Sequence, residues 1–438
     1  MSSTVMIGVI ALASFLVLVF LGLPVNGSMM ICGTFFSIFL MRTPQAAFAF
    51  LSDSFLSTFS GYTTAVAPMF ILMGNIAAEA QLGDDLFDAF RALIGHRRGG
   101  LASATQVACA VFGAICGSSA ATVALMGRVA YPQMKRYGYK DTISCGGIAS
   151  GSSLAILIPP SLALISYGIA AEASIGKLLL GGILTGVVLM VLFIITIQIW
   201  CAVDKDAGPA SPKFTGKQKW LAIKNGGLIE IFLVFALSMG GMFAGWFTPT
   251  EAGAVGSAGM LIVTIIFKRF SWKMLWKSLR DTIIMSGMLY VLMTGATTFG
   301  KLFTVSGIPA AIGNLVQNAN MSSFMIILLI TIIYLILGCF VDAIPLVLLM
   351  TPVFLPTVRI AGFNEIWFGC YVVVIVGMGG VTPPVGMSCY VLGGMVKDVP
   401  LMTIFKGSVP YVIAYFVMAI VLALIPGIAT WLPDLIMG

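Results

Sequence analysis

A pair of adjacent prolines recurs at matching places in two halves of this chain. Pro132, Gly138 and Pro159-Pro160 reappear as Pro356, Gly362 and Pro383-Pro384; 356 − 132, 362 − 138 and 383 − 159 all give 224. At that offset Met126 falls on Met350, Asp141 on Glu365, Gly83 on Gly307 and Ser118 on Asp342. Each proline removes an N–H donor and leaves a carbonyl further back unpaired, so two in a row break a helix. Neighbouring glycines (Gly151 at the first pair, Gly377, Gly379, Gly380 and Gly386 at the second) let the backbone unwind. At membrane depth such a break survives only where protein buries it or where it lines a cavity. Two breaks at corresponding places are the mark of a secondary transporter built from internal repeats, with its site at the breaks.

The rest of the sequence fits a membrane protein. The chain has 438 residues, 59% hydrophobic and only 9% charged, against about 25% charged in soluble domains. The uncharged runs Met1–Met41, Thr142–Ala171, Leu178–Val203, Leu302–Val341 and Ile366–Val396 are each long enough to span the hydrocarbon, which takes about 20 helical residues. A β-barrel would show short alternating strands instead. The expected fold is therefore an all-α polytopic membrane protein.

The net charge of +7 reads as lipid topology rather than nucleic-acid binding. Lys205, Lys213, Lys217, Lys219 and Lys224 fall in one short loop, and Lys268, Arg269, Lys273, Lys277 and Arg280 in the next. Two apolar segments separate these loops, so both face one side, and the positive-inside rule makes that side the cytoplasm. The turn around Trp246–Glu251 is then external. The first charge is Arg42, so Met1–Gly22 lacks the basic start of a cleavable signal and reads as a retained helix. The eight cysteines show no CxxC spacing and read as buried free thiols. With His96 the only histidine, a zinc centre or a catalytic triad finds no support.

Five stretches follow: N-terminal helices over 1–60, a first repeat over 61–203, a linker with further helices over 204–281, a second repeat over 282–410 and a C-terminal helix over 411–438. Pro209 and Pro212 stop any helix in the linker. Arg269–Asp281 has apolar residues at helical spacing with basic ones between, the pattern of an interfacial helix. Tyr411–Pro433 reads as the last span.

Three places carry chemistry. Cys116-Gly117-Ser118-Ser119-Ala120-Ala121-Thr122 is small and hydroxyl-rich. It reads either as a close-packing face or as the tip of a re-entrant hairpin, where freed carbonyls and hydroxyls offer hard oxygen ligands to a cation. Its counterpart contains Asp342, the only charge between Lys301 and Arg359. An ionisable residue at that depth is costly and by default functional; the alternative is a carboxylate satisfied by backbone amides at a hairpin tip. The third place is the proline pairs themselves, whose freed carbonyls need a partner such as sodium. Gly176-Lys177 is followed by Leu178 rather than Ser or Thr, so no Walker motif is present and ATP-driven transport is not expected. An intramembrane serine hydrolase using Ser118 or Ser119 would need a base, and His96 sits in a basic loop. A channel is a further reading, against which the inverted hairpins argue for alternating access.

The chain resembles the large membrane subunit of tripartite ATP-independent periplasmic (TRAP) transporters, of the ion-transporter superfamily. The likeness rests on Arg98-Gly99-Gly100-Leu101-Ala102, Gly113 to Thr122, Gly138-Tyr139, Ile158-Pro159-Pro160-Ser161, Pro249-Thr250-Glu251-Ala252, Asp342 and Pro383-Pro384-Val385-Gly386, in order along nearly the whole chain. Trp367 departs from it, standing where such proteins commonly have His. The resemblance implies about eleven transmembrane helices plus two re-entrant hairpins in inverted repeats, divided into a scaffold and an elevator transport domain, in a bacterial inner membrane. It implies sodium-driven uptake of an organic acid without ATP, a small membrane subunit, and a periplasmic binding protein that delivers the substrate. A self-sufficient sodium- or proton-coupled anion carrier of the same superfamily is the alternative.

Carried onto this sequence, one sodium site would use Ser118 and Ser119 with carbonyls at Ala155, Ile158 and Pro159. The other would use Gly338, Gly379, Thr382 and Val385. The substrate would lie between the hairpin tips, near Ser118, Ser161, Asp342, Pro384 and Gly386. Carboxylates, sialic acids and sulfonates all remain open as its class.

Overall fold

The computed structural model describes residues 3–225, 227–318 and 321–438. Every regular element among them is helical. The chain opens with α1 (Ser3–Phe20), α2 (Val25–Met41) and α3 (Pro44–Ser60). The first repeat follows as α4 (Val66–Glu79), α5 (Leu82–Ile94), α6 (Gly100–Cys116), α7 (Ser119–Arg136), α8 (Asp141–Gly151), α9 (Leu162–Ala171) and α10 (Ile175–Val203). A short arm, α11 (Gly216–Asn225), leads to α12 (Leu228–Phe243) and α13 (Pro249–Ile266). The second repeat runs through α14 (Trp272–Ser306), α15 (Ile308–Asn318), α16 (Ser323–Gly338), α17 (Ala343–Ile360), α18 (Glu365–Gly379), α19 (Met387–Met395) and α20 (Leu401–Leu424), before α21 (Gly427–Met437). Among the described residues, six helices are long and apolar enough to cross a membrane (α1, α10, α13, α14, α17 and α20), and two bent pairs, α3 with α4 and α11 with α12, would each do so if taken as one span.

The two repeats match element by element, from α4 against α14 to α10 against α20. In each, a helix pair turns back at a tip (α6–α7, α16–α17), and a broken pair follows (α8–α9, α18–α19). The proline pairs lie in the breaks, and both Pro159-Pro160 and Pro383-Pro384 bonds are cis. Lys140, at the base of the first hairpin, meets Asp204 at the end of α10 at 2.5 Å, in the basic region assigned to the cytoplasm. At the base of the second, Ser323 donates to the Ala361 carbonyl, joining the two ends of that hairpin, and neighbouring Arg359 donates to Ala171 O at 3.4 Å, beside the start of α10 rather than its end. The hairpins thus enter from opposite sides, as an inverted repeat requires.

Two groups of helices can be followed in the packing, joined to each other where α14 meets α17 and α4 meets α6. α2, α3 and α4 pack on α14, and α4 also on α13, as a frame. α8 packs on α20, α9 on α17, α16 on α18 and α10 on α21, as a unit that carries both hairpins. Close helix approach rests on glycine: a Cβ on Gly146 would run into the Gly407 backbone, and one on Gly113 into Ala155.

Three features differ from the sequence reading. Pro209 and Pro212 do not keep the whole linker unwound: α11 forms at Gly216–Asn225, beyond the reach of either proline ring. The interfacial stretch before Asp281 is no separate helix; it forms the first turns of the 35-residue α14. Ser271 caps that start by accepting from Met274 N at 3.1 Å, and nothing after Asp281 breaks the helix. Trp272 and Trp276 remain exposed on it, as an interfacial face would have them. The last long helix begins at Leu401 rather than near Tyr411, because Pro410 sits inside α20 without ending it. The chain bends only near Ile425 and Pro426, before α21.

Trp367 has a packing explanation. It is buried, stacks on Phe363 and Tyr371 at centroid distances of 4.9 and 5.0 Å, and donates its indole N–H to the Leu422 carbonyl at 2.8 Å. The Pro249-Thr250-Glu251 segment is a helix start: Thr248 accepts from Glu251 N at 3.3 Å, and Glu251 accepts from Thr248 N at 2.8 Å. This reciprocal capping box satisfies two orphan donors of α13. All eight cysteines are buried and free.

Candidate functional site

The hairpin tips and the proline breaks bring helix ends of both kinds to one place. α7, α17 and α19 begin beside a common cavity, at Ser119, Ala343 and Met387, while the unwinding ends of α8 and α18 reach it through Ser153, Ile156 and Gly380. Helix N-termini carry partial positive charge and favour anions; unwound C-terminal ends expose carbonyls that suit cations. The cavity holds about 30 Å³, room for an ion or one or two waters, so an organic acid of several carbons needs the tips to part.

Hydroxyls tie the tip of the first hairpin across this point. Ser119 Oγ lies 3.2 Å from Ser152 Oγ and 3.1 Å from Ser388 Oγ. Ser152 in turn donates to the Ala149 carbonyl at 2.7 Å. Behind them Ser153 donates to Ser150 O at 2.5 Å and pairs with the Tyr415 hydroxyl. Ser152, Ser153 and Ser388 are additions to the residues singled out from the sequence. Ser152 and Ser153 stand at the end of α8, two turns from the proline pair, and Ser388 just past Gly386; their place in the breaks was the available signal.

Ser118 and Asp342, equivalent by the repeat, are equivalent in structure: each is the N-cap residue of the second helix of its hairpin. Ser118 Oγ accepts from Ala121 N at 3.4 Å, whereas Asp342 makes no side-chain capping bond. The Asp342 side chain faces the cavity instead. Gly117, at φ +60, lets the first tip turn left-handed, and a Cβ there would stand 2.5 Å from the Pro160 carbonyl oxygen. That contact seats the first tip on the first break.

The carbonyl positions expected around the breaks share one property. Among the described residues, no hydrogen bond is donated to the carbonyls of Ala155, Ile158, Pro159, Gly338 or Val385. Proline chemistry explains part of this, since Pro159 and Pro160 supply no N–H for the preceding turn. Ala155 and Pro159 are buried, Ile158 and Val385 half-buried. Gly338 ends α16 against Gly379, the last residue of α18; a Cβ on Gly379 would stand 2.7 Å from the Gly338 carbonyl carbon. Gly386 N donates to Cys339 O at 3.2 Å and fastens the second tip to the second break. Thr382 donates to the Met378 carbonyl at 2.6 Å, which leaves its oxygen free to accept or ligate.

The substrate positions divide. Asp342 lines the cavity, as does Ser119 of the first cation set, but Ser118, Ser161, Pro384 and Gly386 do not. Ser161 is fully buried as the cap of α9; it accepts from Leu164 N at 3.1 Å and donates to Ile156 O, so its donor is spent inside its own turn. Pro384 is exposed beside the cavity and Gly386, at φ +58, shapes the turn into α19. No group of three or more His, Cys, Asp or Glu side chains able to hold a metal occurs among the described residues. A cation at the breaks would be held by backbone carbonyls and hydroxyls.

Comparison with known proteins agrees with this architecture. The chain is 32% identical to the C4-dicarboxylate TRAP transporter large permease protein DctM of Pseudomonas aeruginosa, over 88% of this chain and 89% of that one. It is 31% identical to the ectoine TRAP transporter large permease protein TeaC of Halomonas elongata, over 84% and 85% of the two chains. It is 27% identical to the sialic acid TRAP transporter large permease protein SiaM of Vibrio cholerae, over 96% and 97%. Its fold is similar to that of the YdaH transporter of Alcanivorax borkumensis, with a TM-score of 0.65 at 13% identity, covering 88% of this chain and 90% of that one. Residues 12–428 match the model of the DctM component of tripartite ATP-independent periplasmic transporters. This chain is therefore an integral inner-membrane protein, a transporter subunit rather than an enzyme, and belongs to the DctM family of TRAP large permeases.

Proposed function

We propose that this chain carries out sodium-coupled secondary uptake of an organic acid by an elevator movement of the hairpin-bearing unit along the frame. The observation that carries the reading is the meeting of three helix N-termini at one cavity between the tips, flanked by two breaks whose carbonyls at Ala155, Ile158, Pro159, Gly338 and Val385 accept no hydrogen bond among the described residues. Carbonyls at Ala155, Ile158 and Pro159, with Ser119 and Ser152 nearby, suit one sodium ion. Carbonyls at Gly338 and Val385, with the Thr382 oxygen, suit a second. The N-termini of α7, α17 and α19 suit the carboxylate of the substrate, and bound sodium offsets the negative charge of Asp342 beside it.

The permeases to which the chain is similar are named for C4-dicarboxylates, ectoine and sialic acid, which supports a small organic acid as the substrate class. Two partners follow in this reading: a small membrane subunit and a periplasmic binding protein. The sialic acid TRAP transporter permease protein SiaT of Haemophilus influenzae supports the first. It matches 98% of this chain, yet the chain covers only 68% of it, which leaves room for a second membrane component on the same polypeptide.

Reconstitution tests the reading. Proteoliposomes holding this chain with its small subunit should accumulate organic acid only with loaded binding protein, an inward sodium gradient and no ATP. Equal uptake in potassium would remove sodium coupling. Full uptake without the binding protein would favour the self-sufficient carrier.

A further inference from the structure

We propose that the cytoplasmic loop between α5 and α6, together with the arm that leads into α11, forms a binding site for the phosphate of an anionic lipid headgroup. The arm turns back onto that loop: Ser211 N donates to Gly95 O at 3.2 Å, and Lys219 Nζ lies 3.4 Å from the Leu93 carbonyl. This gathers His96, Arg97, Lys213 and Lys219 at one place, and no carboxylate pairs with Arg97, Lys213 or Lys219 among the described residues. Asp84, Asp85, Asp88 and Asp204 are engaged elsewhere, with Arg128, Arg269, Arg91 and Lys140, which leaves Asp206 as the one unpaired acid of the arm among the described residues.

Two polar atoms under the cluster have no partner. Ser211 is 6% exposed, and its Oγ makes no hydrogen bond; the same holds for His96 Nδ1. A buried hydroxyl left without a partner is costly, and an oxyanion would accept its proton. Partial burial, then the charges of Lys219, Arg97 and Lys213, hold His96 below the usual imidazole range, which is the field of a site short of negative charge.

The membrane is the source that the arm favours. On α11, Trp220 and Leu221 are 59% and 54% exposed, with Lys217 before and Lys224 after them. An apolar face amid lysines lies in the interface, and the cytoplasmic leaflet is the anionic one. The arm connects α10 of the hairpin-bearing unit to α12, which packs on α13 of the frame. A lipid fixed here pins the near end of that connection.

Native mass spectrometry of the purified full chain in neutral detergent should retain phosphatidylglycerol in preference to phosphatidylcholine, and phosphatidylglycerol should raise its melting temperature. Each basic charge near the surface contributes roughly fivefold in binding, so a Lys213→Gln/Lys219→Gln double variant should lose retention by at least tenfold. A Lys205→Gln/Lys273→Gln double variant, which removes the same charge elsewhere on that face, should stay within twofold. Ser211→Ala keeps every charge and should still weaken retention by about threefold. Equal loss in the two double variants, unchanged retention in Ser211→Ala, or the same thermal shift with inorganic phosphate alone would each overturn the proposal.

Discussion

Ser119 Oγ lies 3.1 Å from Ser388 Oγ, which joins the tip of the first hairpin to the helix that starts after the second proline break. The contact crosses between repeats, and in the proposed reading it couples the first ion site to the substrate cavity. Ser119→Ala removes the oxygen shared by Ser152 and Ser388 and keeps nearly the same volume. In reconstituted uptake, its apparent sodium affinity should fall about tenfold, or roughly 1.4 kcal/mol, with partial rescue by excess sodium. An unchanged sodium titration would leave Ser119 as a packing residue.

Thr382 gives a sharper discrimination at the second break. Its hydroxyl proton is committed to Met378 O, so only its oxygen lone pairs are available to a cation. Thr382→Val removes them, and a lost ligand in a low-dielectric site is not replaced by water at the same strength. Sodium dependence should shift by about tenfold. Thr382→Ser, which keeps the oxygen, should restore it. Failure of the serine variant to rescue would point to the lost methyl instead of the oxygen.

The breaks and hairpins were legible in the sequence because proline leaves a local, unambiguous mark, and because one offset of 224 aligned both halves. The pairing of Ser118 with Asp342 follows from that offset alone, and the structure adds that both are N-caps. The serine bridge was not legible. Ser119 and Ser388 are 269 residues apart, and only the packing of α7 on α19 brings them together. The start of α14 was misplaced for a local reason: an amphipathic pattern looks the same in a separate surface helix and in the first turns of a longer one. Ser161 stands next to a proline pair, yet its hydroxyl turns inward to cap α9, a direction that spacing does not reveal.

Asp342 should act on substrate choice. A carboxylate only accepts hydrogen bonds, so it holds an organic acid through the donors that acid carries, or through a cation between them. Asp342→Asn should therefore raise KM most for acids with hydroxyl or ammonium groups and least for plain dicarboxylates. Its sodium dependence should keep the same steepness. Equal KM changes across both classes would place Asp342 in the cation sites.

The Lys140–Asp204 pair ties the first hairpin's base to the end of α10 at 2.5 Å. Its hydrogen bond with Lys140 holds the Asp204 carboxyl below the usual range. A depressed carboxylate stabilises the folded state above its unfolded pKa, near 3.9, and that contribution is lost as pH falls through the folded value. Asp204→Asn should be less stable than the parent at pH 7, and the difference should vanish in strong acid. Thermal unfolding of both proteins between pH 7 and pH 3 checks the sign.

Gly379 tests whether the second hairpin needs its close seat. An added Cβ would stand 2.7 Å from the carbonyl carbon and 2.8 Å from Cα of Gly338. Both are backbone atoms, so no flexible side chain can yield, and overpacking of this kind costs about 1–3 kcal/mol. Gly379→Ala should lower the melting temperature and also weaken sodium binding, because displacing α16 moves the Gly338 carbonyl from its position near the second break. Gly394 lies in α19 with nothing within 4 Å of its would-be Cβ. There alanine restricts the unfolded chain without meeting any neighbour, so Gly394→Ala should be neutral or slightly stabilising, with normal uptake. If both alanines behave alike, the approach of α16 to α18 is looser than these distances require, and Gly338 no longer belongs among the cation ligands.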